Sequence, residues 1–328
     1  MAEIKAKIRK WPIQGSFRIA HGTVTEIEVV EVKIKHKGMV GRGECRPYAR
    51  YNETPKSVLD EINEAIKLLS DQPDTNFLQN VMPAGAGRNA LDCAIWDLRA
   101  KSQNQRIWDI LDIPAPSPRL TAYTLSIDAP TKMARAAIAA RNYPILKLKI
   151  DGLRGLEACL AVMDARPDTQ LIIDANESLS PLELGMFRSE LEGYPILMIE
   201  QPLKNEIFDQ IGYAPEQLPI LCADESLHST EDLQKLWDVG YRAINVKLDK
   251  CGGITEAVRL LNEAKDMGFV IMAGCMVGSS LAMAPMMALT SFADVLDLDG
   301  PLLLAKDIGN GLRYDGPFVY PPSKKLWG

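Results

Sequence analysis

Five short apolar runs recur through the middle of the chain at nearly constant spacing, and each carries an ionisable side chain at or near its end. The runs are LKLKI (146–150), QLIIDAN (170–176), ILMIEQP (196–202), PILCADE (219–225) and INVKLD (244–249). Their ionisable groups, Lys149, Asp174, Glu200, Asp224 and Lys247, follow one another at intervals of 25, 26, 24 and 23 residues. A strand, a helix and two turns take about that many residues in a barrel of roughly 250 residues and eight units. The period therefore predicts an α/β fold, a (β/α)8-type barrel, with these five groups at the same end of five consecutive strands. That end is where such barrels do chemistry.

The period extends in both directions. Thr124, in RLTAYTLSI (119–127), lies 25 residues before Lys149, and VIMAGC (270–275) and VLDLDG (295–300) continue the series. Eight strands are expected at 121–126, 146–150, 170–174, 196–200, 219–223, 244–248, 270–274 and 294–298. Helical spacing fills several of the gaps, as in TEAVRLLNEAKDMG (255–268). Ahead of the barrel, EIEVVEVKIKHKG (26–38) alternates like an antiparallel strand. SVLDEINEAIKLLSD (57–71) and NALDCAIWDLRAKSQ (89–103) place apolar residues at helical spacing. Strands followed by helices predict an α+β domain over residues 1–115, and Pro114, Pro116 and Pro118 read as its linker. The barrel domain then runs over 116–300, with the loop-like segment 301–328 returning to the first domain.

Composition narrows the function. A net charge of −6 with no long basic run argues against nucleic acid or an anionic membrane as partner. No stretch approaches 18 apolar residues, and MAEIKAKIRKWPIQ has no apolar signal core, so a cytoplasmic protein is expected. Six scattered cysteines without a C-x-x-C pair, and only three histidines, disfavour a zinc-thiolate site. Homo-oligomer formation stays open.

Three carboxylates on successive strands, with no histidine or thiolate beside them, suit a hard divalent cation, and one Mg²⁺ per chain on Asp174, Glu200 and Asp224 is expected. A lone Asp at a strand end is commonly a loop cap; three in a row are not. Asn176, Gln201 and Glu225 stand ready to brace these ligands. Lys149 belongs to the second strand and Lys247 to the sixth, so the two stand on opposite walls of an eight-stranded barrel. A carbon held between them can lose a proton from one face and regain one on the other, as in a racemase or epimerase. Lys147 shares a face with Lys149. Its ammonium and the metal are expected to lower the pKa of a lysine base toward neutral. Mg²⁺ holding a substrate carboxylate would stabilise the enediolate left by loss of the α-proton.

These motifs resemble the enolase superfamily in its muconate-lactonizing-enzyme subgroup: the K-x-K strand (147–149), D-x-N (174–176), E-Q-P (200–202) and A-D-E-S (223–226). Within the subgroup the chain is similar to dipeptide epimerases of the L-Ala-D/L-Glu type. That likeness is carried by GECRPYARYNE (43–53), NALDCAIWDL (89–98), INVKLDKCGGITEA (244–257), GCMVGSS (274–280) and DLDGPLLL (297–304). The resemblance implies a modified (β/α)7β barrel under an α+β capping domain. It implies Mg²⁺-dependent inversion of the α-carbon of the C-terminal residue of a dipeptide, with Lys149 and Lys247 as the two bases. It also implies that Asp297 and Asp299, placed on one face of the eighth strand, hold the dipeptide's free ammonium. Thr124, Lys147 and Cys275, the last through its backbone, are implied to contact the substrate too. In the similar enzymes an arginine of a capping loop reads the glutamate side chain; in FRIAHG (17–22) the matching residue is His21, with Arg18, Arg46 and Arg50 as other cationic candidates. Peptidoglycan peptide recycling is the implied setting. Within the fold, an N-acylamino-acid racemase, an o-succinylbenzoate synthase and a cycloisomerase are the rivals. A metal-independent Schiff-base aldolase and a purely structural barrel are remoter ones.

Overall fold

The structure, a computed structural model, describes residues 2–19, 22–69, 74–205 and 219–328. Ala2, Ile4 and Ala6 turn inward at every second position, which makes the first segment a strand, β1 (Glu3–Ile19), that the sequence reading did not include. It pairs antiparallel with β2 (Gly22–His36), with a register break between Pro12 and Phe17, where proline has no N–H to give the ladder. β2 turns into β3 (Met39–Cys45) through Lys37 and Gly38, both at positive φ, the two-residue turn whose twist suits a hairpin. Helices α1 (Pro55–Leu68), α2 (Thr75–Val81) and α3 (Ala86–Gln103) cover one face of this sheet, burying Val30, Val32, Ile34, Val58, Ile62, Leu78 and Leu91. α3 presses so closely on β3 that a Cβ at Gly43 would lie 2.1 Å from the Ala90 carbonyl oxygen. Its other face carries polar residues that are buried because they meet the barrel. Asn89 donates to Asp249, and Thr255 donates to Asp92.

A short helix, α4 (Ile107–Ile110), and a short strand, β4 (Arg119–Leu120), lead into the barrel. Its strands are β5 (Tyr123–Leu125), β6 (Ile145–Lys149), β7 (Gln170–Asp174), β8 (Ile196–Glu200), β9 (Ile220–Ala223), β10 (Ala243–Val246), β11 (Val270–Gly274) and β12 (Val295–Asp297). All eight run parallel in chain order. At the seam, Ala122 N donates to Leu296 O at 2.8 Å, and Leu298 N donates to Thr121 Oγ1 at 2.9 Å, so the sheet is nearly closed. Outside it lie α5 (Pro130–Ala139), α6 (Gly155–Ala165), α7 (Pro181–Glu190), α8 (Leu233–Asp238), α9 (Leu248–Cys251), α10 (Ile254–Asp266) and α11 (Ser280–Ala288). The fold is of α/β type: an eight-stranded parallel barrel with an N-terminal antiparallel sheet as cap.

The tail 301–328 is more ordered than its composition predicts. β13 (Tyr314–Asp315) and β14 (Phe318–Val319) form a small sheet with β4. Trp327 Nε1 then donates to the carbonyls of Arg42 and Cys93, and Gly328 N donates to Asp97 Oδ1 at 2.7 Å. Among the described residues no helix is long and apolar enough to cross a membrane.

Candidate active site

Strand alternation decides which side chains enter the barrel. On β6, Leu146 and Leu148 face the helices, and Lys147 and Lys149 face the axis. The same rule turns Ile173, Ile199, Leu221, Ile244 and Ile271 outward into the main core. Ile172, Met198, Cys222, Ala243 and Met272 turn inward and, with Ala122, plug the lower barrel. Two residues above the plug, the inward positions become Asp174, Glu200, Asp224, Asn245 and Asp297. Lys247 follows Asn245 at the same spacing. β9 and β10 stop at Ala223 and Val246, so Asp224 and Lys247 stand just past their strand ends.

The carboxylates and ammoniums are interleaved. Lys149 Nζ donates to Asp174 Oδ2 at 2.5 Å and to Asn176 Oδ1 at 3.1 Å. Across the barrel, Lys247 Nζ donates to Asp224 Oδ2 at 2.5 Å. Lys147 is buried between them. Its Nζ donates to Asp297 Oδ2 at 2.7 Å and lies 2.9 Å from Asp174 Oδ2 and 2.7 Å from Glu200 Oε2. The last contact is ionic only: Glu200 Oε2 is buried without a hydrogen-bond donor. Asn245 Nδ2 donates to Glu200 Oε1 at 2.7 Å. Lys250, at the end of α9, donates to Asp224 Oδ1 at 2.5 Å and also to the Asp224 carbonyl. Gln201 Oε1 accepts from Asp224 N, and Asn176 Nδ2 donates to Glu225 Oε1. Asn176 and Gln201 both hold positive φ, a local strain concentrated at the strand ends that bear the carboxylates. Gly274 is glycine because a Cβ there would sit 2.0 Å from Asn245 Oδ1.

The electrostatics show a site short of positive charge. Burial opposes ionisation of Asp174, yet Lys147 and Lys149 bring its carboxyl down to about 2. Asp224 is likewise held well below the usual range, against burial, by Lys247 and Lys250. Burial and then Asp174 push Glu200 up to about 8; burial and then Asp224 push Glu225 up to about 7; burial and then Asp297 push Asp299 up to about 7. Asp174, Glu200, Asp224, Glu225, Asp297 and Asp299 are six carboxylates, and Lys147, Lys149, Lys247 and Lys250 are four ammoniums. Fully ionised, this buried set carries two excess negative charges. An all-oxygen donor set with that excess fits one hard divalent cation. Among the described residues no three acidic, thiol or imidazole groups stand at ligand spacing around one point. Instead the Lys147 ammonium lies between Asp174 and Glu200, and Glu200 Oε2, in ionic contact with it, still has no hydrogen-bond donor.

Several sequence expectations change. Burial alone would lower Lys147 and Lys247, but the protein's own facing carboxylates outnumber the ammoniums and raise both well above the usual lysine range, so any lowering toward neutral falls to the divalent cation expected at those carboxylates. Asp297 and Asp299 do not share a strand face, because β12 ends at Asp297 and Asp299 begins the next turn. Asp299 Oδ2 accepts from Thr124 N at 2.6 Å, so the pair faces Lys147 and the β5 backbone. Cys275 lines the cavity, with its thiol pushed well above the usual range by burial and then by Asp297. His21 lies outside the described residues, as does the Arg18 side chain. Arg50 is engaged, donating Nε and Nη2 to the two oxygens of Glu177 at 2.7 Å each. The sequence reading missed Asn245 and Lys250. The first repeats the two-residue spacing of the K-x-K strand, and the second lies three residues after Lys247 in the same run.

Above these groups a cavity of about 340 Å³ opens between barrel and cap. Its floor includes Lys147, Lys149, Asp224, Lys247, Asp297 and Asp299; its roof includes Gly22, Thr23, Ile27, Arg46, Tyr48 and Tyr51.

Known proteins are similar to this chain in sequence and fold. Residues 1–112 match the model for the mandelate racemase / muconate lactonizing enzyme N-terminal domain, and residues 131–324 match the enolase C-terminal domain-like model. An L-Ala-D/L-Glu epimerase of Escherichia coli strain K12 is 39% identical over 96% of this chain and 98% of its own length. An N-acetyl-D-glutamate racemase of Pseudoalteromonas sp. is 40% identical over 92% of this chain and 95% of its own. The crystal structure of an enolase family member from Agrobacterium tumefaciens, with homology to dipeptide epimerases, superposes with a TM-score of 0.93. It shares 40% identity over the full length of both chains and holds sodium and L-Ala-L-Glu with an ordered loop.

Proposed function

This chain belongs to the mandelate racemase / muconate lactonizing enzyme family of the enolase superfamily, and from that premise we propose that it is an isomerase inverting the α-carbon of the C-terminal residue of a dipeptide by two-base 1,1-proton transfer. The observation that carries the proposal is the pair Lys149 and Lys247, four strands apart in an eight-stranded barrel, with the carboxylates between them. Asp174, Glu200 and Asp224 would hold one Mg²⁺ per chain, which when bound supplies Lewis-acid stabilisation to a substrate carboxylate.

The rest falls to the protein's own groups. One lysine takes the α-proton from its face, and the other delivers a proton to the opposite face, so each epimer meets its own base. To act as bases, Lys149 and Lys247 must first let go of Asp174 and Asp224. Asn176, whose backbone N–H donates to Asp174 Oδ1, and Lys250, which grips the other oxygen of Asp224, would keep each carboxylate in place while that happens. Asp297 and Asp299 would take the free ammonium of the dipeptide, which an N-acyl amino acid lacks. The cap, residues 1–115, would select the substrate and shed water, while 116–300 does the chemistry. The reading extends to a cytoplasmic enzyme of peptidoglycan peptide recycling, in keeping with the likeness to L-Ala-D/L-Glu epimerase.

A second reading rests on a specific observation. Asp297 and Asp299 already accept from Lys147 and from the Thr124 N–H, contacts that a substrate ammonium would have to share. That, with the likeness to an N-acetyl-D-glutamate racemase, favours N-acylamino-acid racemisation as the rival. A mass-spectrometric screen in D₂O with Mg²⁺ separates the two. One-unit mass gain in a narrow set of dipeptides supports epimerisation. Gain only in N-acetyl or N-succinyl amino acids sinks it.

A further inference from the structure

Resting on the metal site proposed above, we infer that Lys250 sets which divalent cation that site prefers. It withholds one oxygen of Asp224, so that Asp224 offers a cation a single oxygen, which suits Mg²⁺ and disfavours Ca²⁺.

Lys250 is 2% exposed and is not among the residues that line the cavity. An ammonium has three N–H donors, and all three are engaged: on the Asp224 carbonyl, on Asp224 Oδ1 at 2.5 Å and on the Asn245 carbonyl at 3.1 Å. Those acceptors sit on neighbouring strands just past the point where pairing stops. β9 and β10 are last paired at Ala223 and Ile244, and Asp224 and Asn245 come next. The ammonium therefore bridges the opening that the ladder leaves, with the Asp224 carboxylate as its counter-ion. Its backbone is anchored as well. α9 ends at Gly252, at positive φ, and Arg88 of α3 donates to the carbonyls of Cys251 at 2.8 Å and Gly252 at 3.2 Å.

The two oxygens of Asp224 are thereby unequal. Oδ2 meets Lys247, which lines the cavity; Oδ1 meets Lys250, whose other donors are bound to carbonyls. Freeing Oδ1 would leave a buried ammonium hydrogen and a buried carboxylate oxygen both unmatched. The neighbouring carboxylates are divided in the same sense. Asp174 Oδ1 accepts from Asn176 N at 3.2 Å and Glu200 Oε1 from Asn245 Nδ2 at 2.7 Å, while Asp174 Oδ2 and Glu200 Oε2 face Lys147. An oxygen bound to a neutral N–H can still reach a cation through its other lone pair. One that bears an ammonium also repels the cation, so Lys250 is the strictest of the three locks. Mg²⁺ demands an octahedron of short bonds, and the two oxygens of one carboxylate lie closer together than adjacent corners of it. Ca²⁺ takes more oxygens at longer distances and accepts a carboxylate through both. A ligand confined to one oxygen therefore costs Ca²⁺ a contact and costs Mg²⁺ none.

The test titrates full-length wild type and Lys250→Met with Mg²⁺ and with Ca²⁺ by calorimetry. Loss of a buried positive charge acts alike on two divalent ions and cancels in the ratio of their dissociation constants. A merely structural role would weaken both together and leave that ratio alone. With Asp224 Oδ1 released, Ca²⁺ is expected to gain on Mg²⁺ by about 10-fold or more in the ratio. An unchanged ratio in a variant that keeps its melting transition overturns the assignment. A crystal structure of the wild-type protein grown with Ca²⁺ tests the same point without a substitution, should Lys250→Met fail to fold. Lys250 retained on Oδ1, with Asp224 bound through Oδ2 alone, supports the assignment; Asp224 chelating through both oxygens overturns it. Wild-type protein that binds neither ion overturns the metal site itself, and the role of Lys250 with it.

Discussion

The floor and the roof of this cavity are built on opposite terms. The floor is crowded with charge, and each group is fixed by at least one partner: Lys149 by Asp174 and Asn176, Lys247 by Asp224, Lys147 by Asp297. Among the described residues the roof offers aliphatic and tyrosyl surface with a single guanidinium. Strands supply the floor, and a strand leaves little choice about where its side chains point. The start of β2 and the segment after β3 supply the roof, at the rim of the cap, where replacements disturb the barrel scaffold less. The division teaches that reaction type and substrate choice are carried by different parts of the chain. It predicts that a floor substitution costs turnover with every substrate, whereas a roof substitution changes preference among substrates.

Lys247→Ala is the hardest blow to the floor. Epimerisation is expected to fall by about 10³-fold or more, since a positioned acid or base contributes that much. Exchange of the α-proton of one epimer with D₂O should persist through Lys149, read by NMR. Undiminished turnover in this variant would remove the two-base mechanism, and with it the claim that the floor alone sets the chemistry.

Asp297→Asn tests a boundary case, a floor residue assigned to substrate choice. Losing a charge-assisted contact to an ammonium is expected to cost dipeptides about 10- to 100-fold in kcat/KM. N-acetyl amino acids should be spared that loss, having no ammonium to hold. Equal losses for both classes would mean that Asp297 serves mainly to anchor Lys147, to which it already accepts at 2.7 Å.

The same division explains what the sequence made legible. The barrel, the three carboxylates and the opposed lysines follow from a period of about 25 residues, because length, alternation and strand direction together place those groups. Asn245 and Lys250 escaped because neither ends an apolar run. Asn245 reaches Glu200 only through its place on β10, and Lys250 reaches Asp224 from a short helix whose position is tertiary. β1 escaped although Ile4, Ala6 and Ile8 alternate, since lysines on the exposed face dilute its apolar content. The lysine pKa expectation counted ammonium neighbours and the metal; the carboxylates that raise Lys147 and Lys247 in the protein alone act against it and were not counted. At position 21 histidine replaces the expected arginine, and nothing in the local sequence says which other arginine reaches the cavity. Arg46 and Arg50 lie four residues apart in one loop; the fold commits Arg50 to Glu177 and leaves Arg46 on the cavity wall.

The smallest effect belongs to the joint between roof and floor. Glu44, on β3, is fully buried where the cap meets the start of α11. It accepts from Ser279 N and Ser279 Oγ at 2.8 Å each, and from Trp11 Nε1 at 3.4 Å. Burial pushes its carboxyl up to about 7 from 4.5 despite these donors. Between those values the folded protein binds more protons at this site than the unfolded chain. The contribution is therefore fully present below pH 4.5 and is lost as pH rises toward 7, so stability should fall across that window. Asp249, also raised to about 7, and Asp92, raised to about 6, act with the same sign, so the wild-type slope is a composite. Glu44→Gln isolates one share of it. Its melting temperature should vary less steeply from pH 4.5 to 7 than that of the wild type, by an amount equivalent to on the order of 1–3 kcal/mol. Substrate preference should stay put, since Glu44 touches neither Arg46 nor the lysines. Parallel melting profiles would show that Glu44 is ionised in the folded protein and that Ser279 and Trp11 hold it as a carboxylate. A shifted preference would mean that the roof senses its joint to the barrel, and the separation of selection from chemistry would then be weaker than the cavity lining implies.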